Sequence, residues 1–317
     1  MRFRKLVILL AVCTRLLLGV ETGTGQDLGH KLPGLIGLDA GRIPEPGLYI
    51  INRVVAYNAD ELRDRNGNLI PIPGLQMQGL SNGTGISYTT KFRDTNLSLT
   101  ATAAMPLARL RLNIPVRPEA SFDRFGLADI YIQPARVGWR KDRFDLVGSY
   151  GVYLPTGLFA LAGGKSVSTG HVTHEFSLGG TIYANKNRNV FLTALGSYNL
   201  NLRKRGIDIT RGDTFQVQGG VGVSRHQRML EVGVAGYGLW QVRPDRGADL
   251  PPVLRGARDR VYGVGPEAAV LVKTIRSQIR VRYAWDLGVL SRPKGNVFAA
   301  GINFVFWHPQ GPPSLPP

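Results

Sequence analysis

The feature that most constrains this chain is the alternation of apolar and polar residues, which recurs in segments from residue 47 to residue 307. Successive side chains of a β-strand point to opposite faces, so each segment predicts a strand with one apolar and one polar face. In the clearest segment, 276–287, Ile279 and Val281 alternate with Arg280 and Arg282. We predict about twelve strands, at 47–57, 85–94, 96–112, 128–140, 143–154, 171–184, 188–203, 213–225, 229–242, 260–273, 276–287 and 295–307.

The predicted connections alternate between long and short along the whole series. The connection 58–84 is long, for example, and the next is a tight turn at Thr95. Outer-membrane barrels have this layout, with long loops outside, short periplasmic turns and an even number of strands. A sheet in lipid must also close on itself, because lipid offers a free edge no hydrogen-bond partner.

We therefore predict an all-β fold, a closed antiparallel transmembrane β-barrel of about twelve strands. The apolar faces would meet lipid and the polar faces would line a wet lumen. Aromatic residues on the apolar faces would form the interfacial girdles: Tyr150, Trp240, Tyr262, Tyr283, Trp285, Phe304 and Phe306. A secreted soluble β-sheet binding module is the alternative, and its apolar faces would point inward.

The N-terminus predicts export from the cytoplasm. Three basic residues, Arg2, Arg4 and Lys5, precede a short apolar run, which is the layout of a secretory signal peptide. We divide the chain into a signal peptide (1–25), a periplasmic N-terminal segment (26–46), a transmembrane barrel (47–307) and a Pro-rich C-terminal tail (308–317). The expected location is the outer membrane of a Gram-negative type of cell.

Composition argues against several classes of function. Cys13 is the only cysteine and lies in the predicted signal peptide, which excludes disulfides and cysteine-based metal or catalytic sites from the mature chain. His171 and His174 would face opposite sides of a strand, and no G-x-S-x-G motif is present. We expect no enzyme activity, no cofactor and no metal. The net charge of +17 is spread over loops and turns, which does not favour a nucleic-acid partner.

Charged residues on the polar strand faces are the candidate site. Rows of charge inside a lumen can select solutes, and Arg280, Arg282 and Asp286 share the polar face of one predicted strand. We expect these arginines to form a constriction. The alternative is a structural role, in which they pair with acids on other strands, such as Asp145, Glu175, Glu231 and Glu267.

Two further features bear on the lumen. The long segment 58–84 (Asn58–Thr84) is the candidate for a plug that folds inward. Pro134 and Pro266 lie within predicted strands, where proline removes a hydrogen-bond donor and favours a bulge or a local kink.

A series of short segments carries a resemblance to a known family. The segments are PEPGLYI at 44–50, LADIYIQP at 127–134, VYLPTG at 152–157, GYGLWQ at 236–241, VYGVGPE at 261–267 and IRVRYAWDLGVLSRPKGNVF at 279–298. Their order resembles that of the outer-membrane transporters associated with meta-pathway phenol degradation.

The resemblance implies passive passage of small aromatic or hydrophobic solutes, with outer-membrane lipid as the surroundings of the barrel. It also implies the barrel-assembly machinery as a partner, which reads a terminal aromatic pattern such as that of residues 304–307. A Pro-rich tail follows that pattern here, and this is a departure from the family. A structural or adhesive barrel without transport is the alternative function.

Overall fold

The computed structural model describes residues 29–30, 32–159, 166–225 and 229–309. The predicted signal peptide and residues 310–317 of the tail lie outside this part of the chain. The described strands are β1 (Gly47–Arg63), β2 (Leu69–Ile70), β3 (Gln76–Lys91), β4 (Leu97–Asn113), β5 (Phe122–Leu127), β6 (Ile130–Lys141), β7 (Phe144–Leu154), β8 (Thr173–Tyr183), β9 (Val190–Asn201), β10 (Thr214–Arg225), β11 (Leu230–Gln241), β12 (Arg260–Val272), β13 (Ser277–Leu290) and β14 (Pro293–Trp307).

These strands form a closed antiparallel barrel. Each long strand pairs with the next along the chain, and β1 pairs with β14 to close the ring. The short strands β2 and β5 pair with β1 and β4 at the extracellular end, which leaves twelve strands in the wall. The predicted fold class is confirmed. Among the described residues, no helix is long and apolar enough to cross a membrane.

The prediction of a long loop and plug at 58–84 is wrong. β1 continues to Arg63 and β3 begins at Gln76, so most of this segment belongs to the barrel wall. The first half of β3 (QMQGLSNG) sets polar residues and glycine on both faces, which hides the period-two pattern of a strand. At the other end of the chain, the predicted loop 288–294 is a turn at residues 291–292 between β13 and β14.

Strand pairing is irregular at Pro134 but regular at Pro266. Pro134 lies where the pairing of β6 with β7 shifts register, between Ile132 and Ala135, and the predicted bulge is confirmed there. The bulge predicted at Pro266 is wrong, because β12 and β13 keep one register from Val264 to Glu267. Proline removes only the donor of its own residue, so the ladder can continue past it. The irregularity of this strand pair lies instead at Tyr262 and Gly263.

The faces of the wall divide as the alternation predicts. Large apolar side chains are exposed on the outer face of every long strand, and polar side chains such as Gln216 and Thr193 are buried on the inner face. Of the seven predicted girdle aromatics, Tyr150 is half-buried against Phe176 and the other six are exposed. The outer belt is mostly apolar, and the inner face combines polar side chains with buried apolar clusters, such as that of Tyr183, Phe191 and Ala235.

Candidate functional site

The lumen is occupied by residues 29–30 and 32–46, which we call the plug segment. It enters at the periplasmic end, just before β1, and reaches the extracellular end at His30. Its centre is buried, with Leu38 and Ala40 fully enclosed. It contacts inner-face side chains of β6, β9, β10, β11, β12 and β13, so wall surrounds it on several sides. The sequence assigned 26–46 to the periplasm, whereas the structure places its described part within the barrel.

A cluster of charges holds the middle of the plug segment. Arg280 on β13 donates to Glu267 Oε1 at 2.6 Å and to Asp39 Oδ1 of the plug segment at 2.8 Å. Arg280 also donates to Glu231 Oε2 at 3.3 Å. Arg42 of the plug segment donates to the same Glu231 at 2.6 Å. We call these five side chains the lumen charge cluster; it joins the plug segment to β11, β12 and β13.

Backbone groups of the plug segment are also bound by the wall. The amide of Leu38 donates to Glu267 at 3.1 Å, and the amide of Gly41 donates to Thr193 Oγ1 at 2.9 Å. Arg136 on β6 donates to the carbonyls of Ala40 and Arg42, both at 2.9 Å. Buried backbone groups need such partners, because the segment forms no strand pairing of its own.

Two glycines let the plug segment lie against the wall. Gly37 has φ of +59°, and a Cβ there would overlap the carboxylate of Glu267. A Cβ at Gly41 would overlap the backbone of Gly180 on β8. Any side chain at these positions would push the plug segment away from its partners.

The extracellular end of the plug segment is fixed at His30. Its ring lies 3.1 Å from Asp129 Oδ2 and 2.9 Å from Thr173 Oγ1, and it stacks on Tyr153 at 4.7 Å. A cavity beside it, lined by Asn199 among others, has a volume of about 20 Å³. That volume holds about one water molecule, so no solute-sized space remains there.

Burial and neighbouring charges shift the pKa of Asp39 in opposite directions. Burial alone would raise the pKa of this carboxyl, but the guanidinium groups of Arg280 and Arg42 lower the pKa below its ordinary value. Asp39 is therefore ionised at neutral pH, and its charge is part of the attachment of the plug segment. The sequence analysis did not select Asp39, Arg42 or Arg136.

The seven predicted lumen residues all lie on the inner face, and the structure brings four of them together. Arg280, Glu231 and Glu267 belong to the lumen charge cluster, and Arg282 donates to the carbonyl of Gly34 and lies 3.9 Å from Glu267. Both arginines therefore contact acids and the plug segment.

The other three predicted residues have separate partners. Asp286 accepts from Tyr237 at 2.7 Å and Tyr57 at 3.1 Å. Glu175 accepts from Tyr131 at 3.0 Å. Asp145 accepts from Tyr183 at 3.0 Å and pairs with Arg188. Neither Asp145 nor Glu175 pairs with Arg280 or Arg282.

The two histidines considered as metal ligands are apart. His171 is buried near His30, whereas His174 bonds Tyr150 on the outer face. Within the described ranges, no group of three or more His, Cys, Asp or Glu side chains could hold a metal ion.

Comparison with known proteins identifies the family. The family model described as "Putative MetA-pathway of phenol degradation" matches residues 59–301. The chain belongs to this family. The match covers the charged residues of β11, β12 and β13, but not the plug segment. No curated protein sequence matches the chain.

Among solved structures, this family member is similar to the COG4313 outer membrane channel from Pseudomonas putida F1. The TM-score is 0.74 at 12% identity, over 84% of this chain and 98% of that one. A weaker similarity is to the translocator domain of the autotransporter NalP from Neisseria meningitidis, with TM-score 0.47, 14% identity, and 83% and 90% of the two chains covered. The first of these similarities shows that this family member has the fold of an outer-membrane barrel.

Proposed function

We propose that the protein is a passive outer-membrane channel for small aromatic or hydrophobic solutes, closed at rest by its plug segment. One observation supports this most directly. A closed barrel encloses a segment that is held to the wall by ion pairs, hydrogen bonds and side-chain packing, and not by strand pairing. These contacts can break and re-form while the barrel stays intact, because the wall strands pair with one another and not with the plug segment.

In the proposed channel, Arg280 and Arg282 are the selectivity residues. In the closed state their charges are met by Glu267 and by atoms of the plug segment. Displacement of the plug segment leaves these guanidinium groups facing the lumen, beside Glu231 and Glu267. Three other predicted acids line the lumen around these arginines: Asp286, Glu175 and Asp145.

The solute class is supported by the family and by the fold. The family model is described in terms of phenol degradation, and the COG4313 structure is described as an outer membrane channel. We extend both descriptions to this chain as a proposal. No cofactor or energy source is part of it, and the protein would enter the membrane through signal-directed export and the barrel-assembly machinery.

A structural barrel without transport is the second candidate, and the filled lumen favours it. The two candidates differ in whether the plug segment ever leaves the lumen. In the structural barrel, the lumen charge cluster would be a permanent part of the core.

Solute flux distinguishes these candidates. Purified protein is placed in liposomes, and entry of phenol is compared with entry of glucose and with protein-free liposomes. The proposal predicts protein-dependent entry of phenol that saturates and exceeds entry of glucose. Entry of each solute no faster than into protein-free liposomes, by a barrel that is still heat-modifiable in gels, would favour the structural candidate. Equal protein-dependent entry of both would leave a channel but remove the aromatic preference.

A further inference from the structure

The extracellular end of the plug segment places one aromatic ring against the wall. The His30 imidazole lies nearly parallel to the Tyr153 ring on β7, with 4.7 Å between the centroids and 14° between the planes. Tyr153 also contacts Tyr131 on β6 at 4.6 Å, and Tyr131 donates to Glu175. Stacked aromatic pairs gain free energy beyond the area that they bury. Because Tyr153 belongs to the wall, it offers the same stacking face to any flat ring that reaches it.

The cavity beside His30 offers hydrogen-bonding groups next to this stacking face. Its lining includes Asn199 on β9 and Gln216 on β10, which are neighbouring strands. Asn199 Oδ1 and Gln216 Nε2 are buried, and neither atom has a hydrogen-bond partner among the described residues. Leaving such atoms unpaired is costly. One acceptor and one donor therefore predict a small ligand group that both donates and accepts, and a hydroxyl group does so.

The wall groups that hold His30 keep other partners without it. The imidazole lies 3.1 Å from Asp129 Oδ2 and 2.9 Å from Thr173 Oγ1. Asp129 also accepts from the amide and from Oγ1 of Thr169, both at 3.0 Å. Thr173 donates to Asn201 at 2.6 Å. Each wall group therefore still has a hydrogen-bond partner after the imidazole leaves, so another ring can take its place.

We propose that this place is a binding subsite for a phenol, that is, for an aromatic ring that carries a hydroxyl group. The ring takes the position of the His30 imidazole on Tyr153. The hydroxyl group fills the cavity, donates to Asn199 Oδ1 and accepts from Gln216 Nε2. The inference rests on the proposed function for its solute class, and it adds that the solute and the plug segment compete for one position.

The position of the subsite suits a solute that arrives from outside. Its lining residues lie near the extracellular ends of their strands, since Thr173 begins β8 and Thr214 begins β10. A bound phenol releases the extracellular end of the plug segment, while the lumen charge cluster still holds the middle. Solute binding is thus the first of two steps that free the lumen.

The subsite should distinguish phenol from two simpler solutes. Toluene can stack on Tyr153, but it leaves Asn199 and Gln216 without partners. Glucose has hydroxyl groups but no flat aromatic ring. Sites that hydrogen-bond a hydroxyl group discriminate strongly against analogues that lack it, because their buried polar groups then stay unpaired.

Calorimetric titration of the purified full-length protein with phenol tests the hydrogen bonds. Gln216→Met removes the amide at nearly constant size. The matched control is Gln218→Met: Gln218 is the next inward residue of β10, is also 1% exposed with an unpartnered Nε2, and contacts the plug segment at Ile36, but it lies outside the lining of the cavity.

We expect Gln216→Met to weaken phenol binding about fivefold to tenfold, because one buried hydrogen bond is lost, and Gln218→Met to leave it unchanged. Toluene should bind the natural protein and Gln216→Met alike. Unchanged phenol affinity in Gln216→Met would overturn the proposal, and so would an equal loss in both variants. Absence of saturable phenol binding by the natural protein would overturn it as well.

NMR of protein with nitrogen-15-labelled histidine reports on His30 in the natural sequence. The His30 signals are assigned by their loss in His30→Gln. We expect saturating phenol to shift them more than the signals of His174, which bonds Tyr150 on the outer face, and glucose to shift neither. His30 signals that stay in place at saturating phenol would overturn the proposal.

These readouts separate the subsite from the channel. Phenol entry into liposomes, together with unmoved His30 signals and equal affinities of the two glutamine variants, would remove the subsite and leave the channel. Saturable phenol binding that weakens only in Gln216→Met, without phenol entry into liposomes, would support the subsite and remove the channel.

Discussion

Arg280 is the side chain whose loss should release the plug segment most strongly. Its guanidinium group contacts carboxylates of Asp39, Glu231 and Glu267, and all of these groups except Asp39 are nearly fully buried. Replacement by Met removes the cation and leaves the acids facing one another in the closed lumen. Water reaches the same acids once the plug segment has left, so the cost falls mainly on the closed state.

The magnitude follows from the burial. Removing one partner of a buried ion pair costs about 3–5 kcal/mol. Arg42 still pairs with Glu231 in the variant, so we take the lower value of about 3 kcal/mol. That energy corresponds to a change of about two orders of magnitude in the ratio of closed to open states.

Thiol labelling measures this ratio. Leu38→Cys places a thiol at a fully buried position of the plug segment. We expect a membrane-impermeant maleimide to label it about a hundredfold faster when Arg280→Met is present. The control is Arg188→Met, which also breaks a pair with a buried acid, Asp145, and for which no contact with the described plug residues is seen. Labelling that changes no more with Arg280→Met than with Arg188→Met would refute the assignment of the lumen charge cluster to plug retention.

Further predictions concern the plug segment and the lumen. Gly37→Val should also speed labelling of Leu38→Cys, because φ at Gly37 is +59° and the side chain would overlap Glu267; unchanged labelling would show that the plug segment can shift without leaving. Asp39 has a lowered folded-state pKa, so its contribution should be present above about pH 4 and be lost as the pH falls below that value. Labelling should therefore rise on acidification, and Asp39→Asn should label faster at pH 7 and show a smaller acid step. An acid step of equal size in both proteins would show that Asp39 does not cause it. In a barrel without residues 29–43, Arg280→Gln with Arg282→Gln should shift ion selectivity toward cations, measured as a reversal potential in a salt gradient; an unchanged potential would remove the arginines from the selectivity proposal.

The architecture of the barrel could be predicted from the sequence because alternation is a local property. In β13, the large apolar residues from Ile279 to Leu287 face lipid at every second position, and each charged residue faces the lumen, as the pattern indicates. The sequence analysis predicted only the second half of β3, because polar residues and glycines lie on both faces of its first half.

The plug segment could not be predicted from alternation, because it forms no regular strand. Its contacts join residues about 200 positions apart, such as Arg42 with Glu231. A signal was nonetheless present: residues 32–38 are uncharged and mostly apolar, which is unusual for a segment exposed to the periplasm. The wall acids Glu231 and Glu267 were predicted from their strands alone, whereas Asp39, Arg42 and Arg136 were missed.

Single-channel recording of the chain with and without residues 29–43 tests the central claim most directly. The deletion removes most of the plug segment and leaves the wall strands and the predicted signal peptide unchanged. A heat-modifiable band in gels checks that the barrel has formed. The account predicts rare openings of the full-length protein and a steady, larger conductance of the deleted one. The same conductance and open probability for both proteins would contradict the claim that the plug segment closes the lumen.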